Sequence, residues 1–464
     1  MMSKLGIVIT DGVGFRNFML SDFYQKAQES FNEVVILSCL PKEAYKDLNV
    51  NCEIIELSIF NESFFTWFFR KSKEVAHLQL HKKQNKGIEI NLQKNWTNAK
   101  NPRGYATRFI FKLTSFLNSE KWIQRFNHCQ QLFFKNDVIT KEYFEILKKE
   151  NFDLLFFTHQ RPPFIAPVIY AAELLKVRTA TFIFSWDNLA SKGRMSGNYD
   201  CYLVWSDLMK SELLQFYPSV KEQQIKVVGT PQFEPYVLDR YKSTKEKFHN
   251  EFDLDPSMKT ICFSCGDVST SKNDELYIDT IASAITNNNI PKVNFLVRIS
   301  PAEDGSRFKD LKEKYSFIKW NFPKWVLTRK DHQESWSQRV PTVEDVIDLR
   351  SILQFSDLNI NMLSTMSLDF MCFKKPVINP VFGSIDSGLY NDQKFLDYEH
   401  IKNVVNSKST RIAKNDSELI SAINLYLQNP EIDEKERARL VEMQVSRPLE
   451  NTGKRIAETL QGWA

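Results

Sequence analysis

No part of the sequence contains about 18 consecutive uncharged apolar residues, the length that a membrane-spanning helix needs. We expect no signal peptide either, because the first predicted strand, residues 5–10, begins almost at once. The seven cysteines are odd in number and scattered through apolar stretches, which indicates reduced core thiols and not a disulfide framework. Cys262 and Cys265 have CxxC spacing, but no second pair or histidine cluster accompanies them to form a zinc site. These absences predict a cytoplasmic protein.

The sequence also lacks an internal repeat, a low-complexity segment and a recognised nucleic-acid-binding motif. What it has is the composition of an ordinary folded protein, since 42% of the 464 residues are hydrophobic and 25% are charged. At about 150 residues per domain, this length predicts two domains or more. We expect no nucleic-acid partner.

Positive charge is concentrated in residues 60–135. This segment contains fourteen Lys or Arg and four Glu, a net charge of +10, whereas the whole chain carries +4. It is also rich in Phe and Trp. Basic and aromatic residues together are typical of segments that contact an anionic membrane surface or a polyanionic acceptor. The alternative is a helical subdomain with solvated lysines around a Phe-rich core.

Residues 358–381 predict a βαβ module with a polar turn between its first strand and its helix. Ser364 and Thr365 stand in this turn, where a helix N-cap belongs. Hydroxyls and free helix N–H groups at the end of a strand can hold a phosphate. Asp369, about one helical turn later, could accept hydrogen bonds from a ribose. The alternative is a capped helix without a ligand.

The first strand leads into the turn Asp11-Gly-Val-Gly14, followed by a helix predicted over residues 16–29. A lone GxG lacks the third glycine and the downstream acid of a dinucleotide fingerprint. Its glycines would leave the backbone open at the sheet edge, with Asp11 and Arg16 facing the crevice. Asp11 is then either a general base or only the cap of the helix.

A buried strand predicted over residues 152–158 ends directly in His159, Gln160 and Arg161. Ligands of open α/β sheets bind at the carboxyl ends of strands. Because histidine titrates near neutral pH, His159 could take a proton from an acceptor hydroxyl. The alternative is a structural histidine in a loop.

The next strand, predicted over residues 179–185, delivers a dense polar set to the same edge. An aromatic ring, a carboxylate, an amide and two cations so close together exceed what a turn needs. The ring could stack on a sugar or base, and the cations could meet a phosphate. The set comprises Trp186, Asp187, Asn188, Lys192 and Arg194.

Gly and Pro in residues 229–233 interrupt the alternation of strands and helices, so we place a domain boundary there. Residues 1–230 are then an N-terminal Rossmann-like acceptor domain. Residues 231–445 are a C-terminal Rossmann-like nucleotide-donor domain that begins with a linking helix over residues 236–252. We expect residues 446–464 to form a helix that packs back toward the first domain.

Strands restart in the second half. One over residues 260–264 leads to Gly266 and a serine-rich turn, and one over residues 293–299 ends in Arg298. The fork of donors on Arg298 could clamp a diphosphate.

Two α/β halves with an anion-binding module late in the second are typical of the GT-B architecture. The motifs that carry a more specific likeness are Ser264-Cys-Gly266, Val297-Arg-Ile-Ser-Pro301, Leu363-Ser-Thr-x-x-x-Asp369, Lys375-Pro-Val-Ile378, Ser185-Trp-Asp-Asn-Leu189, Ser191-Lys-Gly193 and Val228-Gly-Thr-Pro-Gln-Phe233. In these the chain resembles GT-B glycosyltransferases of bacterial surface polysaccharide assembly, including the capsule and CDP-glycerol glycerophosphotransferase-like groups. The resemblance covers most of the chain outside residues 60–135. It implies an α/β fold of two Rossmann-like domains facing across a cleft, with a helical basic insertion in the first.

The resemblance also assigns roles in the second domain. Members commonly have Glu where Asp369 stands, and the phosphotransferase-like group has His where Ser300 stands, which disfavours glycerol- or ribitol-phosphate transfer. The substrate is a nucleotide-diphosphate or CMP sugar, with no cofactor. No metal is expected, because cationic side chains and helix N-termini stabilise the leaving diphosphate. The residues expected to hold the nucleotide are Gly266, Arg298, Ser364, Thr365 and Asp369.

In the first domain, the base of inverting members is expected among His159, Asp11 and Asp187. Substrate contacts are expected from Gly14, Arg16, Arg161, Trp186, Asn188 and Lys192.

The leading hypothesis is a cytoplasmic glycosyltransferase that transfers a sugar to a lipid-linked or anionic surface glycan, with residues 60–135 contacting the acceptor or the inner face of the membrane. The alternatives are a nucleotide-sugar 2-epimerase of the same fold, a glycerol- or ribitol-phosphate transferase, and a non-catalytic GT-B-like partner in glycan assembly.

Overall fold

A computed structural model describes residues 3–332, 334–385 and 391–464. The chain divides into two compact units. The first comprises Met1–Glu234, Leu327–Val340 and Gln444–Ala464, and the second comprises Pro235–Val326 and Pro341–Met443. The segment Leu327–Val340 therefore belongs to the first unit, although it interrupts the sequence of the second.

The first unit contains a seven-stranded parallel sheet in the order β3-β2-β1-β4-β5-β6-β7. Its strands are short apolar runs, as expected for a parallel sheet that is covered on both faces. They are β1 (Lys4–Ile9), β2 (Glu33–Ser38), β3 (Glu53–Glu56), β4 (Leu154–Phe157), β5 (Arg178–Phe182), β6 (Cys201–Val204) and β7 (Ile225–Val227).

Within the described residues, ten α-helices are interleaved with these strands. Four of them, α3 to α6, fall within the basic segment, which is helical as predicted. The ten are α1 (Gly12–Met19), α2 (Phe23–Ser30), α3 (Phe64–His81), α4 (Lys86–Lys94), α5 (Pro102–Thr114), α6 (Glu120–Phe134), α7 (Val138–Glu150), α8 (Ala166–Leu175), α9 (Asn188–Ser191) and α10 (Asp207–Phe216).

The single helix predicted over residues 16–29 is wrong. The chain forms α1 and α2 instead, because Ser21 interrupts the run and its Oγ accepts a hydrogen bond from Phe23 N at 3.3 Å. Polar residues that can bond the local backbone favour such helix starts over helix interiors.

The second unit contains a six-stranded parallel sheet in the order β10-β9-β8-β13-β14-β15. The strands are β8 (Thr260–Ser264), β9 (Asn294–Arg298), β10 (Lys319–Asn321), β13 (Leu358–Ile360), β14 (Val377–Pro380) and β15 (Arg411–Ala413). Two further short strands, β11 (Trp325–Leu327) and β12 (Arg339–Pro341), pair with each other.

Helices again separate the strands of this unit. The remaining α-helices of the part of the chain that the structure describes are α11 (Lys245–Glu251), α12 (Asp274–Thr286), α13 (Lys309–Lys314), α14 (Val343–Phe355), α15 (Met366–Met371), α16 (Glu399–Ser407), α17 (Asp416–Gln428), α18 (Glu434–Val445) and α19 (Thr452–Gln461). The last of these lies in the first unit, where Gly453 N donates to Glu234 Oε1 at 2.9 Å.

The linking helix predicted over residues 236–252 is wrong. Thr244 caps α11 by accepting a hydrogen bond from Lys247 N at 3.2 Å, so the helix begins only there. Within the described residues, no helix has both the length and the apolar character to cross a membrane.

Candidate functional site

Asp11 and His159 form a buried pair at the carboxyl ends of the adjacent strands β1 and β4. Asp11 Oδ1 accepts hydrogen bonds from Val13 N at 3.0 Å and Gly14 N at 2.8 Å, so the residue caps α1. Its other oxygen, Oδ2, contacts His159 Nδ1 at 2.8 Å and accepts from Thr10 Oγ1 at 2.9 Å. One carboxylate therefore both caps a helix and orients an imidazole.

The opposite nitrogen of the imidazole lacks a partner in the described structure. His159 Nε2 is buried and has no hydrogen-bond partner within the described part of the chain. The ring stacks on Phe184, with centroids 3.8 Å apart and planes at 15°. Asp11 and Phe184 therefore fix the orientation of the ring, while Nε2 keeps a lone pair for a proton.

The environment favours a neutral histidine next to a charged carboxylate. Burial lowers the pKa of His159, and the hydrogen bond to Asp11 opposes that effect only in part. Burial alone would raise the pKa of Asp11, but the hydrogen bond with His159 and those from Gly14 N and Thr10 outweigh it and lower that pKa. This is the protonation state of a general base at neutral pH.

Gly14 allows α1 to approach β4 closely. A Cβ atom at Gly14 would lie 2.6 Å from Thr158 Oγ1, which itself accepts from Thr10 N at 3.2 Å. Arg16 lies two residues further on and donates from Nε to Asn17 Oδ1 at 3.3 Å. The Nε of Arg161 is buried and has no partner among the described residues.

Gln160 ties the strand that carries His159 to the polar loop after β5. Its Oε1 accepts from Phe184 N at 3.1 Å, and its Nε2 donates to Asn188 Oδ1 at 2.9 Å. Trp186 is only 4% exposed, so it packs into the unit and does not form an exposed platform.

The charged groups of this loop pair with one another and with the insertion. Lys192 Nζ lies 3.2 Å from Asp187 Oδ2. Arg194 forms a two-pronged ion pair with Glu120 on α6, at 2.9 and 2.6 Å, and covers the Tyr217 ring. Arg194 therefore links the insertion to the sheet edge.

The sequence did not single out Glu334, whose carboxyl is influenced by the charge of Asp11. Glu334 stands in the first-unit segment Leu327–Val340, which the sequence predicts only as part of a long polar loop. Burial raises the pKa of its carboxyl, and the charge of Asp11 raises it further. The positive charges of Arg70 and Arg161 oppose this rise in part.

In the second unit, Ser364 and Thr365 lie between β13 and α15. Asn361 shapes this turn, because its Oδ1 accepts from Ser364 N at 2.8 Å and from Ser367 Oγ at 3.2 Å. Ser364 Oγ accepts from Met366 N at 3.2 Å, whereas Thr365 takes the N-cap position without a side-chain cap bond. Both side chains are partly exposed.

Asp369 and Arg298 are both buried and already engaged. Asp369 accepts a hydrogen bond from the hydroxyl of Tyr236. Arg298 Nη2 donates to both carboxylate oxygens of Asp345, at 3.0 and 2.9 Å, and Nη1 donates to Asn321 Oδ1. The guanidinium of Arg298 is thus bound to a carboxylate of α14 in this structure.

Gly266 lies at the end of β8, next to β13 in the sheet. Its N–H donates to Asp274 Oδ2 at 2.9 Å, and Arg307 Nη2 donates to its carbonyl at 3.0 Å. A Cβ atom at Gly266 would lie 2.5 Å from Ser271 Cβ. The loops that carry Gly266 and Ser364 therefore end neighbouring strands, and Arg307 braces the first of them.

The described residues contain no group of three His, Cys, Asp or Glu placed to bind a metal ion. The predicted residues thus fall into two sets: one around Asp11 and His159 in the first unit, one at the ends of β8, β9 and β13 in the second. Sequence reasoning missed Gln160, Phe184, Glu334 and Arg307, whose roles depend on contacts distant in the chain.

No model of a protein family and no curated protein matches the sequence. Solved structures do match. The UDP-GlcNAc 2-epimerase from Neisseria meningitidis bound to UDP-GlcNAc is 12% identical over 99% of this chain and 100% of that one, with a TM-score of 0.54. The corresponding epimerase from Methanocaldococcus jannaschii is 13% identical over 99% of both chains, with a TM-score of 0.53. A glycosyltransferase from Rickettsia africae ESF-5 is 12% identical over 99% of this chain and 98% of that one, with a TM-score of 0.51.

The prediction of an α/β GT-B fold with two parallel sheets is confirmed.

Proposed function

We propose that the protein is a glycosyltransferase that moves a sugar from a nucleotide-sugar donor to a surface-glycan acceptor, lipid-linked or anionic, on the cytoplasmic side and without a resident metal. The observation that carries this proposal is the Asp11–His159 pair, whose Nε2 has no partner within the described residues. A buried, neutral and oriented imidazole is the group that a transfer to a hydroxyl needs.

In the proposed reaction, His159 Nε2 takes the proton of the acceptor hydroxyl as its oxygen bonds to the anomeric carbon. The bond from that carbon to the donor phosphate breaks, and the nucleotide leaves with the electron pair. The proton stays on His159, and Asp11 stabilises the resulting imidazolium. A single displacement of this kind inverts the anomeric configuration.

We assign the donor nucleotide to the second unit, as the resemblance implies. The loops of Gly266 and Ser364 end neighbouring strands, where α/β sheets bind nucleotides. Ser364 and Thr365 offer partly exposed hydroxyls to the phosphates. Asp369 and Arg298 remain predicted contacts, and each would have to exchange a present partner for the ligand.

The second candidate is a nucleotide-sugar 2-epimerase, and Glu334 is the observation that favours it. Inversion at C2 needs one group to remove a proton and another to supply one on the opposite face. The raised pKa of Glu334 suits an acid and the lowered pKa of His159 suits a base, and the charge of Asp11, which contacts His159, also acts on Glu334. Incubation with UDP-GlcNAc in D₂O separates the two reactions, because only an epimerase puts deuterium at C2 without an acceptor.

The first experiment is a thermal-shift panel of UDP, GDP, CDP, dTDP and CMP. A ligand at about 100 times its Kd stabilises the fold by about 2.7 kcal/mol. We expect one nucleotide to stabilise the wild type and to stabilise Ser364→Ala much less. Ser417→Ala, an exposed serine on α17, is the matched control and should respond like the wild type.

The outcomes separate the hypotheses. A response to no nucleotide contradicts every sugar-nucleotide proposal. A response to CDP followed by transfer of a glycerol or ribitol phosphate identifies the phosphotransferase alternative. Nucleotide binding without turnover, even with crude membrane acceptors, identifies a non-catalytic partner.

A further inference from the structure

Aromatic side chains are exposed on one part of the first unit, the helices of the basic insertion. Phe116 is 81% exposed, Phe109 is 57% exposed and Phe65 is 55% exposed. We call the group they belong to the aromatic face, which consists of Phe64, Phe65, Tyr105, Phe109, Phe116 and Phe133. Contiguous exposed apolar surface of this kind marks a docking site.

The aromatic face is continuous across three helices. Phe65 on α3 stacks on Phe133 of α6, with ring centroids 5.1 Å apart. Phe68 on α3 stacks on Phe109 of α5 at 6.4 Å, and Phe64 lies 6.4 Å from Phe68. The rings of Phe64, Phe65, Phe109 and Phe133 are thus linked through direct contacts and through Phe68, so they form a layer at the surface and not a set of isolated side chains.

Helix α5 shows the pattern most clearly. Tyr105, Phe109 and the exposed Lys112 follow one another at spacings of four and three residues along α5, and the exposed Phe116 stands in the turn just after the helix. The opposite side of the helix, including Ile110, is buried. An outward helix face of aromatic residues with a lysine among them is typical of helices that lie in a membrane interface.

The charges of the insertion that carries the aromatic face are mostly positive. The four glutamates of residues 60–135 are paired within the protein: Glu62 and Glu74 with Arg70, Glu89 with Lys86, and Glu120 with Arg194. The exposed cations of the insertion include Arg103, Lys112, Lys121, Arg125 and Lys135. Internal pairing of the acids leaves an outer surface that attracts anions.

We propose that the aromatic face docks the protein on the surface of an anionic lipid bilayer. The rings enter the boundary between headgroups and acyl chains, and the surrounding Lys and Arg side chains meet lipid phosphates. A second copy is disfavoured as the occupant, because it would bring two strongly basic surfaces together. The proposal does not depend on the reaction that the protein catalyses.

Vesicle co-sedimentation tests this inference. We expect the wild type to bind vesicles of phosphatidylcholine with phosphatidylglycerol, and to bind pure phosphatidylcholine vesicles far less. Phe109→Ser/Phe116→Ser should weaken binding to the anionic vesicles by about tenfold or more, because two rings that would be buried in the bilayer are lost. The matched control is Phe317→Ser/Phe322→Ser, which changes two exposed rings of the second unit and should bind like the wild type.

A second double variant tests the charges and keeps every residue of the aromatic face. Arg103→Gln/Lys112→Gln should weaken anionic binding by about fivefold for each cation and reduce its salt dependence. The proposal is overturned if the wild type does not bind anionic vesicles, or if all variants bind equally. It is also overturned if light scattering shows a dimer that Phe109→Ser/Phe116→Ser dissociates, or if single-stranded RNA binds through the same residues and the vesicles do not.

Discussion

Asp11 and His159 are 148 residues apart in the chain, and their side chains meet at 2.8 Å. The same carboxylate caps α1 through Val13 N and Gly14 N. The two interpretations of Asp11 from the sequence, helix cap and partner in proton transfer, are therefore compatible. The cap fixes the carboxylate, and the fixed carboxylate orients the histidine.

This geometry predicts the titration of His159. Its pKa should lie below the ordinary value of about 6.5, and its neutral form should carry the proton on Nδ1. Asp11→Asn should lower the pKa further, because the hydrogen bond and charge of Asp11 favour the imidazolium. Nitrogen-15 chemical shifts of the imidazole measure both the tautomer and the pKa. A pKa above 6.5, or one that rises in Asp11→Asn, would contradict the proposed base.

Much of the fold follows from the sequence. The apolar runs of β1, β4, β8 and β13 are local signals, and they place the polar residues at the right ends of the strands. Periodicity needs only neighbouring residues, which is why these predictions agree with the structure.

The details of the sites depend on contacts that no local pattern encodes. Asp345 lies 47 residues beyond Arg298 and takes up its guanidinium. Glu334 reaches the first unit from a polar stretch in the second half of the chain. The aromatic richness of residues 60–135 was visible in the sequence, but not which rings pack inside and which face outward.

Arg298 should contribute mainly to stability. Arg298→Met removes one partner of a buried ion pair and leaves Asp345 without its counter-charge, which costs about 3 kcal/mol. Urea unfolding measures this loss. Arg439→Met, at an exposed position on α18, is the control and should change the free energy of unfolding little. An Arg298→Met variant of unchanged stability that no longer responds to nucleotide would instead support direct binding of the diphosphate.

Gly266 should not tolerate a side chain while Ser271 is present. The Cβ of Gly266→Ala would lie 2.5 Å from Ser271 Cβ, so the loop after β8 must shift. We expect a loss of about 1–3 kcal/mol in the free energy of unfolding. Ser271→Gly removes the opposing Cβ. Adding Gly266→Ala to Ser271→Gly should therefore cost less free energy of unfolding than adding it to the wild type. Strictly additive losses in this double-mutant cycle would show that the clash is not the cause.

Lys73 on α3 should make stability depend on pH. Its side chain is buried, and Nζ donates to Asn127 Oδ1 at 2.8 Å and to the Ser196 carbonyl at 2.7 Å. Burial, reinforced by the charge of Arg194, lowers the pKa of this lysine from 10.5 to about 7. Between these two values the unfolded chain binds more protons at this position than the folded chain, so the contribution of Lys73 to stability becomes more favourable as pH rises.

The slope attributable to Lys73 is at most about 1.4 kcal/mol per pH unit. We therefore expect the stability of the wild type, measured by urea unfolding, to rise relative to that of Lys73→Met as pH increases from about 7 to 10. Lys148→Met, at an exposed position on α7, should show no such divergence. Parallel stability curves for the wild type and Lys73→Met would mean that the buried amine stays charged throughout. The acceptors Asn127 and Ser196, and not burial, would then set its protonation.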